Sequence, residues 1–177
     1  MIYKYGHEDG LKGLEAEYEF DNDILFIKIQ GSNHWIDYVL NFIAWPRKKY
    51  DRCKYHRIWF RETKKFAEHL KTKYGEIKEA YAIGHSLGGA SAAILPALMK
   101  ETHFKVSIIN SPKIGNRKAT KWVDENADIV AHYDKGDVVR YLPLLYSSYK
   151  KKHKYASTKP FWKAHANLPS WWGAFFS

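Results

Sequence analysis

The sequence of 177 residues is long enough for one domain with a sizeable core and too short for two domains of ordinary size. Its one cysteine, Cys53, excludes an internal disulfide, and the absence of any window of 18 uninterrupted apolar residues argues against a membrane-spanning helix. The formal net charge of +10 favours partners that carry negative charge, although no basic run is long enough to form an interaction tail.

The first half of the chain contains one clear strand and one clear helix. No apolar stretch of signal-peptide length opens the sequence, so we expect a cytoplasmic protein. The run DILFIKIQ, Asp23 to Gln30, is apolar and β-branched, which predicts a buried strand. The aromatic segment from Trp35 to Trp45 is compatible with a short helix or a flap. Apolar residues at helical spacing between Trp59 and Tyr74 predict an amphipathic helix that ends at Gly75.

In the second half of the chain, predicted strands and helices alternate. Strands are predicted at Glu79–Ile83, Phe104–Asn110 and Ala127–Tyr133. One helix runs through Met99, with Pro96 expected to kink or end it, and another covers Asn116 to Asn126. The rest, rich in Tyr, Lys and Trp, is predicted to form loops. This alternation predicts an α/β fold, with a mostly parallel sheet and helices on both faces.

The segment that carries the clearest chemical signal is the junction between the first of these strands and its helix. It contains the pattern Gly84-x-Ser86-x-Gly88. A strand that turns directly into a helix raises the serine hydroxyl above the strand end, and small residues on either side avoid a collision across the turn. The turn also brings the Leu87 amide to a helix N-terminus, where it can stabilise an oxyanion. The alternative is a glycine-rich turn without chemistry.

A serine nucleophile needs a histidine to accept its proton and a carboxylate to orient that histidine. In folds with this turn, the acid and then the histidine follow the serine along the chain. Asp134 and Asp137 come directly after the last predicted strand, and His153 and His165 are the histidines downstream of them. The other histidines have no metal-ligand spacing with Cys, Asp or Glu, so we expect neither a metal nor a cofactor.

Four short motifs together resemble one known family. GHSLGGA at 84–90, SPKIGN at 111–116, DVVRYLP at 137–143 and QGS at 30–32 are similar to segments of the class 3 lipases, the fungal triacylglycerol lipase type of α/β-hydrolase. The resemblance runs from about residue 24 to residue 143. It implies an α/β-hydrolase fold, reduced in size, in a single domain that covers residues 1–177.

The resemblance also implies roles for individual residues. The position of the aspartate in DVVRYLP selects Asp137 over Asp134 as the acid. His153 matches a noncatalytic histidine of the family, and His165 matches the catalytic one, although the separation of 28 positions from Asp137 to His165 is shorter than in the family. Ser32 matches a hydroxy residue that contributes to the oxyanion hole, together with the Leu87 amide.

Residues 33–55 occupy the place where the family carries its lid. The segment combines aromatic residues with the cations that follow them, a mixture that suits a lipid–water boundary and equally suits the core of a small protein. The C-terminal aromatic residues from Trp171 to Phe176 have the same two interpretations.

These observations lead to one functional hypothesis with two alternatives. We expect a serine hydrolase that cleaves carboxylic esters of lipids through a triad of Ser86, Asp137 and His165. A phospholipase that acts at anionic lipid surfaces is the first alternative, because of the positive charge. A noncatalytic binding domain that keeps the fold is the second. No nucleic-acid recognition motif or basic helix accompanies the charge, so we do not expect a nucleic acid as partner.

Overall fold

The computed structural model describes residues 1–6, 14–30, 47–144 and 146–155. These residues form nine strands and three α-helices. The strands are β1 (Tyr3–Tyr5), β2 (Glu15–Asp21), β3 (Ile24–Gln30), β4 (Arg47–Tyr50), β5 (Cys53–His56), β6 (Glu79–His85), β7 (His103–Ile109), β8 (Asp128–Asp134) and β9 (Lys152–Tyr155). The helices are α1 (Arg57–Tyr74), α2 (Leu87–Leu98) and α3 (Arg117–Asn126).

Seven of the strands form one sheet in the order β1-β2-β3-β6-β7-β8-β9, and β4 pairs with β5 in a separate hairpin. The strands β3, β6, β7, β8 and β9 are parallel, whereas β2 is antiparallel to β1 and to β3. The mostly parallel sheet with its helices confirms the predicted α/β-hydrolase fold. Because β6, β7 and β8 run in the same direction, the loops that follow them meet at the edge of the sheet formed by the carboxyl ends of the parallel strands.

The core lies between one face of this sheet and the helices. Alternate residues of β3, Leu25, Ile27 and Ile29, are fully buried, as the period of two in a strand requires. Phe66 of α1 and Ile94 of α2 belong to the same buried cluster, so these helices cover this face. At roughly 25 cal/mol for each Å² of apolar surface removed from water, this cluster is the main source of stability.

Among the described residues, the opposite face of the sheet carries half-buried aromatic and polar side chains and no helix, whereas the sequence predicts helices on both faces. Phe26 stacks on Tyr81 with ring centroids 5.4 Å apart. The Lys105 ammonium donates to the Tyr81 hydroxyl at 2.6 Å and to the Glu79 carboxylate at 2.9 Å. No helix within the described part of the chain is long and apolar enough to cross a membrane.

The ends of the helices agree closely with the sequence signals. Gly75, the residue after α1, has φ +70°, a conformation that glycine adopts without a Cβ penalty. The Asn116 side chain caps α3 by accepting from the Ala119 N–H at 3.1 Å. Helix α2 continues two residues beyond Pro96 and ends at Leu98. The sequence did not predict β1, β2 and β9, which lie in segments left unassigned or interpreted as loops, or the β4–β5 hairpin, most of which lies in the lid-like segment 33–55.

Candidate active site

Ser86 occupies the turn between β6 and α2 in a conformation that is unusual for an L-residue. Its φ is +54° and its ψ is −124°, and its residue surface is 5% exposed. The Ser86 N–H donates to the Ile109 carbonyl at 2.9 Å, and the Ser86 carbonyl accepts from the Ala90 N–H at 3.3 Å. A backbone in a sparsely populated region costs about 1–3 kcal/mol and persists only where the surroundings impose it. Hydrogen bonds on both sides of Ser86 impose this turn.

The glycines around Ser86 are required by close backbone approaches. A Cβ at Gly84 would lie 2.6 Å from the Gly89 nitrogen, across the turn, as the sequence pattern predicts. A Cβ at Gly88 would instead lie 2.7 Å from the Ile29 carbonyl carbon, in the neighbouring strand β3. The first glycine therefore permits the tight turn. The second permits the start of α2 to pack against the carboxyl end of β3, a reason that differs from the one predicted.

The Leu87 N–H, the predicted oxyanion donor, lies in the first turn of α2. Leu87 is the first residue of this helix, so its N–H has no acceptor within the helix. The N-terminal end of the helix dipole adds a partial positive charge there. Gly88 approaches the carbonyls of Ile29 and Gln30, which brings the end of β3 to the same place. Ser32, the other predicted donor, is two residues beyond Gln30 and lies outside the described residues.

Both acid candidates are buried, one at the end of β8 and one in the loop that follows. Asp134, the last residue of β8, is fully buried, and its Oδ1 accepts from the Gly136 N–H at 2.9 Å. Asp137 is 1% exposed; its Oδ1 accepts from the Val139 N–H at 3.0 Å, and its own N–H donates to the Asp134 carbonyl at 3.1 Å. Burial therefore does not separate the two aspartates. Each carboxylate shapes the turn that contains it.

Asn110 connects the serine turn to the acid loop. It follows β7, is fully buried and has φ +48°. Its N–H donates to the His132 carbonyl at 2.9 Å, and its Oδ1 accepts from the Asp134 N–H at 2.9 Å. The residue before it, Ile109, accepts from the Ser86 N–H. In the sequence, Asn110 is the last residue of a predicted strand and has no predicted role, although an asparagine directly after a buried strand is typical of a left-handed backbone position.

Ser86 and Asp137 thus lie at the same edge of the sheet, after β6 and β8. Because neighbouring strands are about 4.8 Å apart, these two strand ends are separated by roughly 10 Å. A histidine ring that is hydrogen bonded through both nitrogens bridges a gap of this order once the two flanking side chains point towards each other. Ser86 and the predicted acid therefore follow strand ends that are separated by a gap of this order.

The electrostatics of the acid loop depend on burial. Burial raises the pKa of the Tyr133 hydroxyl far above its usual value, and the nearby Asp137 carboxylate raises it further. Tyr133 therefore stays protonated beside Asp137. The Arg140 guanidinium lies 6.0 Å from the centre of the Tyr133 ring and 4.5 Å from that of Tyr141.

Two of the described histidines can be placed relative to the site. His56 is buried, stacks on Trp59 with centroids 3.8 Å apart, and has its pKa lowered by burial to about 4. His153 lies in β9, at the register position beside His132 of β8. Strand β9 ends at Tyr155, which pairs with Asp134. Its carboxyl end therefore points to the edge that holds the acid loop.

The predicted base, His165, lies outside the described residues, as do the lid-like positions 33–46 and the C-terminal aromatic residues. The remainder of the lid-like segment, positions 47–55, forms β4, its turn and most of β5. Ser86, Leu87 and Asp137 are brought to one edge of the sheet. Within the ranges that the structure describes, no group of three or more His, Cys, Asp or Glu side chains could hold a metal ion.

Comparisons with known proteins agree with this architecture. The profile of the family Lipase (class 3) matches residues 26–147. No curated protein sequence matches the chain significantly. Among solved structures, a mutant of MDLA from Penicillium cyclopium is similar with a TM-score of 0.68 and 18% identity, over 89% of this chain and 63% of the other.

Two further structures show the same similarity. Lip2 lipase from Yarrowia lipolytica has a TM-score of 0.66 and 16% identity, over 85% of this chain and 66% of that one. Mono- and diacylglycerol lipase from Aspergillus oryzae has a TM-score of 0.65 and 20% identity, over 89% of this chain and 63% of that one. In all three comparisons, the chain spans less than two thirds of the length of the similar structure.

Proposed function

Because the chain belongs to the class 3 lipase family, we propose that it is a serine hydrolase that cleaves carboxylic esters of lipids through an acyl-enzyme. The observation that carries this proposal is the backbone of Ser86, held at φ +54° between β6 and α2 by the approach of the flanking glycines to their neighbours. A protein without a use for this serine hydroxyl has no need to maintain a strained L-residue at a strand–helix turn.

In the proposed reaction, the Ser86 hydroxyl attacks the ester carbonyl while His165 accepts its proton. The tetrahedral intermediate places its negative oxygen near the Leu87 N–H and Ser32. His165 then gives the proton to the leaving alcohol, and the acyl group remains on Ser86. Water repeats the same steps and releases the carboxylic acid. Asp137 orients His165 and stabilises its protonated form. The proposed steps require neither a metal ion nor a cofactor.

The topology supports His165 rather than His153 as the base. His153 occupies a position within β9, where its backbone pairs with β8. The chain leaves β9 at Tyr155, at the edge of the sheet that holds Ser86 and Asp137, and His165 follows ten residues later. Ten residues extend up to about 33 Å, which is ample for a return to Ser86.

The test of the nucleophile is covalent labelling. We expect a fluorophosphonate probe to label the wild-type protein and to leave Ser86→Ala unlabelled, with hydrolysis of p-nitrophenyl butyrate lost in parallel. Ser111→Ala is the matched control, because Ser111 is another buried serine beside the same turn, against Gly89. Equal labelling of wild type and Ser86→Ala would reject the assignment. A wild-type protein that neither reacts nor hydrolyses esters would instead support a noncatalytic binding domain.

The test of the base compares the two downstream histidines. His165→Ala should reduce kcat by several orders of magnitude, in the way that loss of a triad member generally does. His153→Ala should leave kcat within a few-fold of wild type. The reverse result would assign the base to His153.

The net charge of +10 bears on the class of lipid ester. Basic residues near an anionic lipid surface each contribute about 1 kcal/mol of attraction. We propose that the enzyme binds anionic phospholipid surfaces more tightly than neutral ones. Phospholipids are therefore the second substrate class to test. Parallel assays on a triacylglycerol emulsion, an anionic phospholipid and a neutral phospholipid distinguish a lipase from a phospholipase. A preference for the anionic phospholipid identifies the latter.

A further inference from the structure

Three of the most exposed large apolar side chains lie directly after the acid candidate. Val138 is 53% exposed, Tyr141 is 51% exposed and Leu144 is 77% exposed. Residues Val139–Tyr141 form a 3-10 turn, in which side chains three positions apart share a face. Val138 and Tyr141 therefore point outwards together, while Val139 is buried on the inner side. We name the set of Val138, Tyr141 and Leu144 the acid-loop patch.

The surroundings of the acid-loop patch are positively charged. Lys135 is exposed, and Arg140 contacts the Tyr141 ring and donates to its hydroxyl. The Lys113 N–H donates to the Leu142 carbonyl at 2.7 Å, which ties the backbone of this lysine to the patch. Burial and the charge of Lys152 lower the pKa of Lys113. Lys152 is therefore close enough to Lys113 for their charges to interact.

The acidic side chains of the same region are buried. Residues 134–155, from the last residue of β8 through β9, contain six lysines and arginines but only two carboxylates, Asp134 and Asp137. Both aspartates are buried, with at most 1% of their surface exposed. The surface of the loop thus presents apolar side chains flanked by cations. This combination matches an anionic bilayer, where apolar groups enter the acyl region and cations contact the headgroups.

We propose that the acid-loop patch, with Lys113, Lys135 and Arg140, is a docking surface for anionic lipid bilayers. It lies at the sheet edge that holds Ser86 and Asp137, so docking brings that edge to the lipid. This inference rests on the proposed lipid ester hydrolysis for its purpose, although docking itself needs no catalysis. Binding is therefore measured in the Ser86→Ala background, in which no lipid is consumed.

The first experiment removes the apolar part of the surface. Co-sedimentation compares vesicles of equal parts phosphatidylglycerol and phosphatidylcholine with vesicles of phosphatidylcholine alone. The triple variant Val138→Ser, Tyr141→Ser and Leu144→Ser should bind the anionic vesicles roughly tenfold or more weakly than its parent. Ile2→Ser is the matched control, because Ile2 is 47% exposed and precedes β1, the edge strand at the end of the sheet far from β8. It should bind like the parent.

The second experiment changes the charge. Lys113→Glu with Lys135→Glu should weaken binding to anionic vesicles in low salt, and the difference should shrink as salt screens the interaction over a Debye length of about 8 Å. The matched control is Lys64→Glu with Lys65→Glu, which alters the net charge equally on the exposed surface of α1. If both pairs weaken binding to the same extent, the effect belongs to net charge and the docking surface is rejected.

The third experiment locates the contact and requires little change in stability. Cys53 is the only cysteine and is 5% exposed, so an environment-sensitive fluorophore attaches selectively to an introduced Leu144→Cys. Its emission should shift to the blue when anionic vesicles are added. The same label at Ile2→Cys should not shift. A shift at Ile2→Cys without one at Leu144→Cys overturns the proposal.

The outcomes for docking and for catalysis are distinguishable. If the triple variant binds vesicles like its parent, the docking surface is wrong even where the protein with Ser86 intact hydrolyses p-nitrophenyl butyrate. If the protein binds vesicles through the patch but no ester is hydrolysed, docking stands and the proposed function fails. Sedimentation velocity addresses one other occupant: dimerisation that the triple variant abolishes, without vesicle binding, would assign the patch to a second copy of this chain.

Discussion

The strain at Ser86 gives a prediction about stability that is independent of catalysis. Ser86 has φ +54° and ψ −124°, where a Cβ is unfavourable and a glycine is not. Replacement by glycine should remove most of the backbone strain, which is about 1–3 kcal/mol. Glycine also lowers the stability by about 0.5–1 kcal/mol, because it is more flexible in the unfolded chain. Replacement by alanine retains the Cβ and the strain. We therefore expect Ser86→Gly to be more stable than Ser86→Ala by about 1–2 kcal/mol.

The assay is thermal denaturation of both variants, followed by circular dichroism. For a chain of this length, each kcal/mol raises the melting temperature by roughly 2–4 °C. Ser91→Gly and Ser91→Ala provide the control, because Ser91 lies within α2 and in an ordinary helical position. There the order should reverse, since glycine in a helix interior is about 1 kcal/mol less favourable than alanine. An equal or lower stability of Ser86→Gly relative to Ser86→Ala would refute the strained turn.

Three further predictions concern buried positions. Gly88→Ala should destabilise the fold by about 1–3 kcal/mol or more in denaturant unfolding, because the added Cβ overlaps the Ile29 carbonyl and backbone must move. Asn110→Ala should cost about 1–3 kcal/mol, because the buried Asp134 N–H loses its acceptor; a melting temperature equal to wild type would contradict this. His56 has a folded-state pKa of about 4, below its unfolded value, so its contribution is present above pH 6.5 and is lost as the pH falls towards 4. His56→Phe should flatten the fall in melting temperature between these pH values, and an unchanged fall would assign the acid sensitivity to other groups.

Local patterns were sufficient to predict the central part of the fold. The apolar runs of β3 and β7 and the small-residue helix after Ser86 each depend on a few neighbouring residues. The missed strand β2 has a clear signal as well, since EAEYEF alternates charged and apolar residues strictly. Strand β9 has no such signal. Its sequence KHKY contains no apolar alternation, and its strand character depends on pairing with β8.

The acid illustrates a limit of residue-by-residue inference at the site. Asp134 and Asp137 are both buried, both accept a backbone N–H from the residue two positions ahead, and both lie at or just after the end of the same strand. Composition and spacing alone therefore leave them equivalent. The choice of Asp137 came from the resemblance of DVVRYLP to a family motif, and it stays a prediction that Asp137→Asn and Asp134→Asn can separate by their effects on kcat.

Asn110 shows why part of the site could not be predicted from local patterns. The residue is identifiable in the sequence as an asparagine at a strand end, which suits its φ of +48°. Its function depends on a partner 24 residues away, the Asp134 N–H, which reaches it only because β7 and β8 are neighbours in the sheet. At the same strand end, the Ile109 carbonyl accepts a hydrogen bond from the Ser86 N–H. The distance between Ser86 and the predicted acid therefore depends on the order of the strands in the sheet. A sequence window that contains only one of the two loops does not determine it.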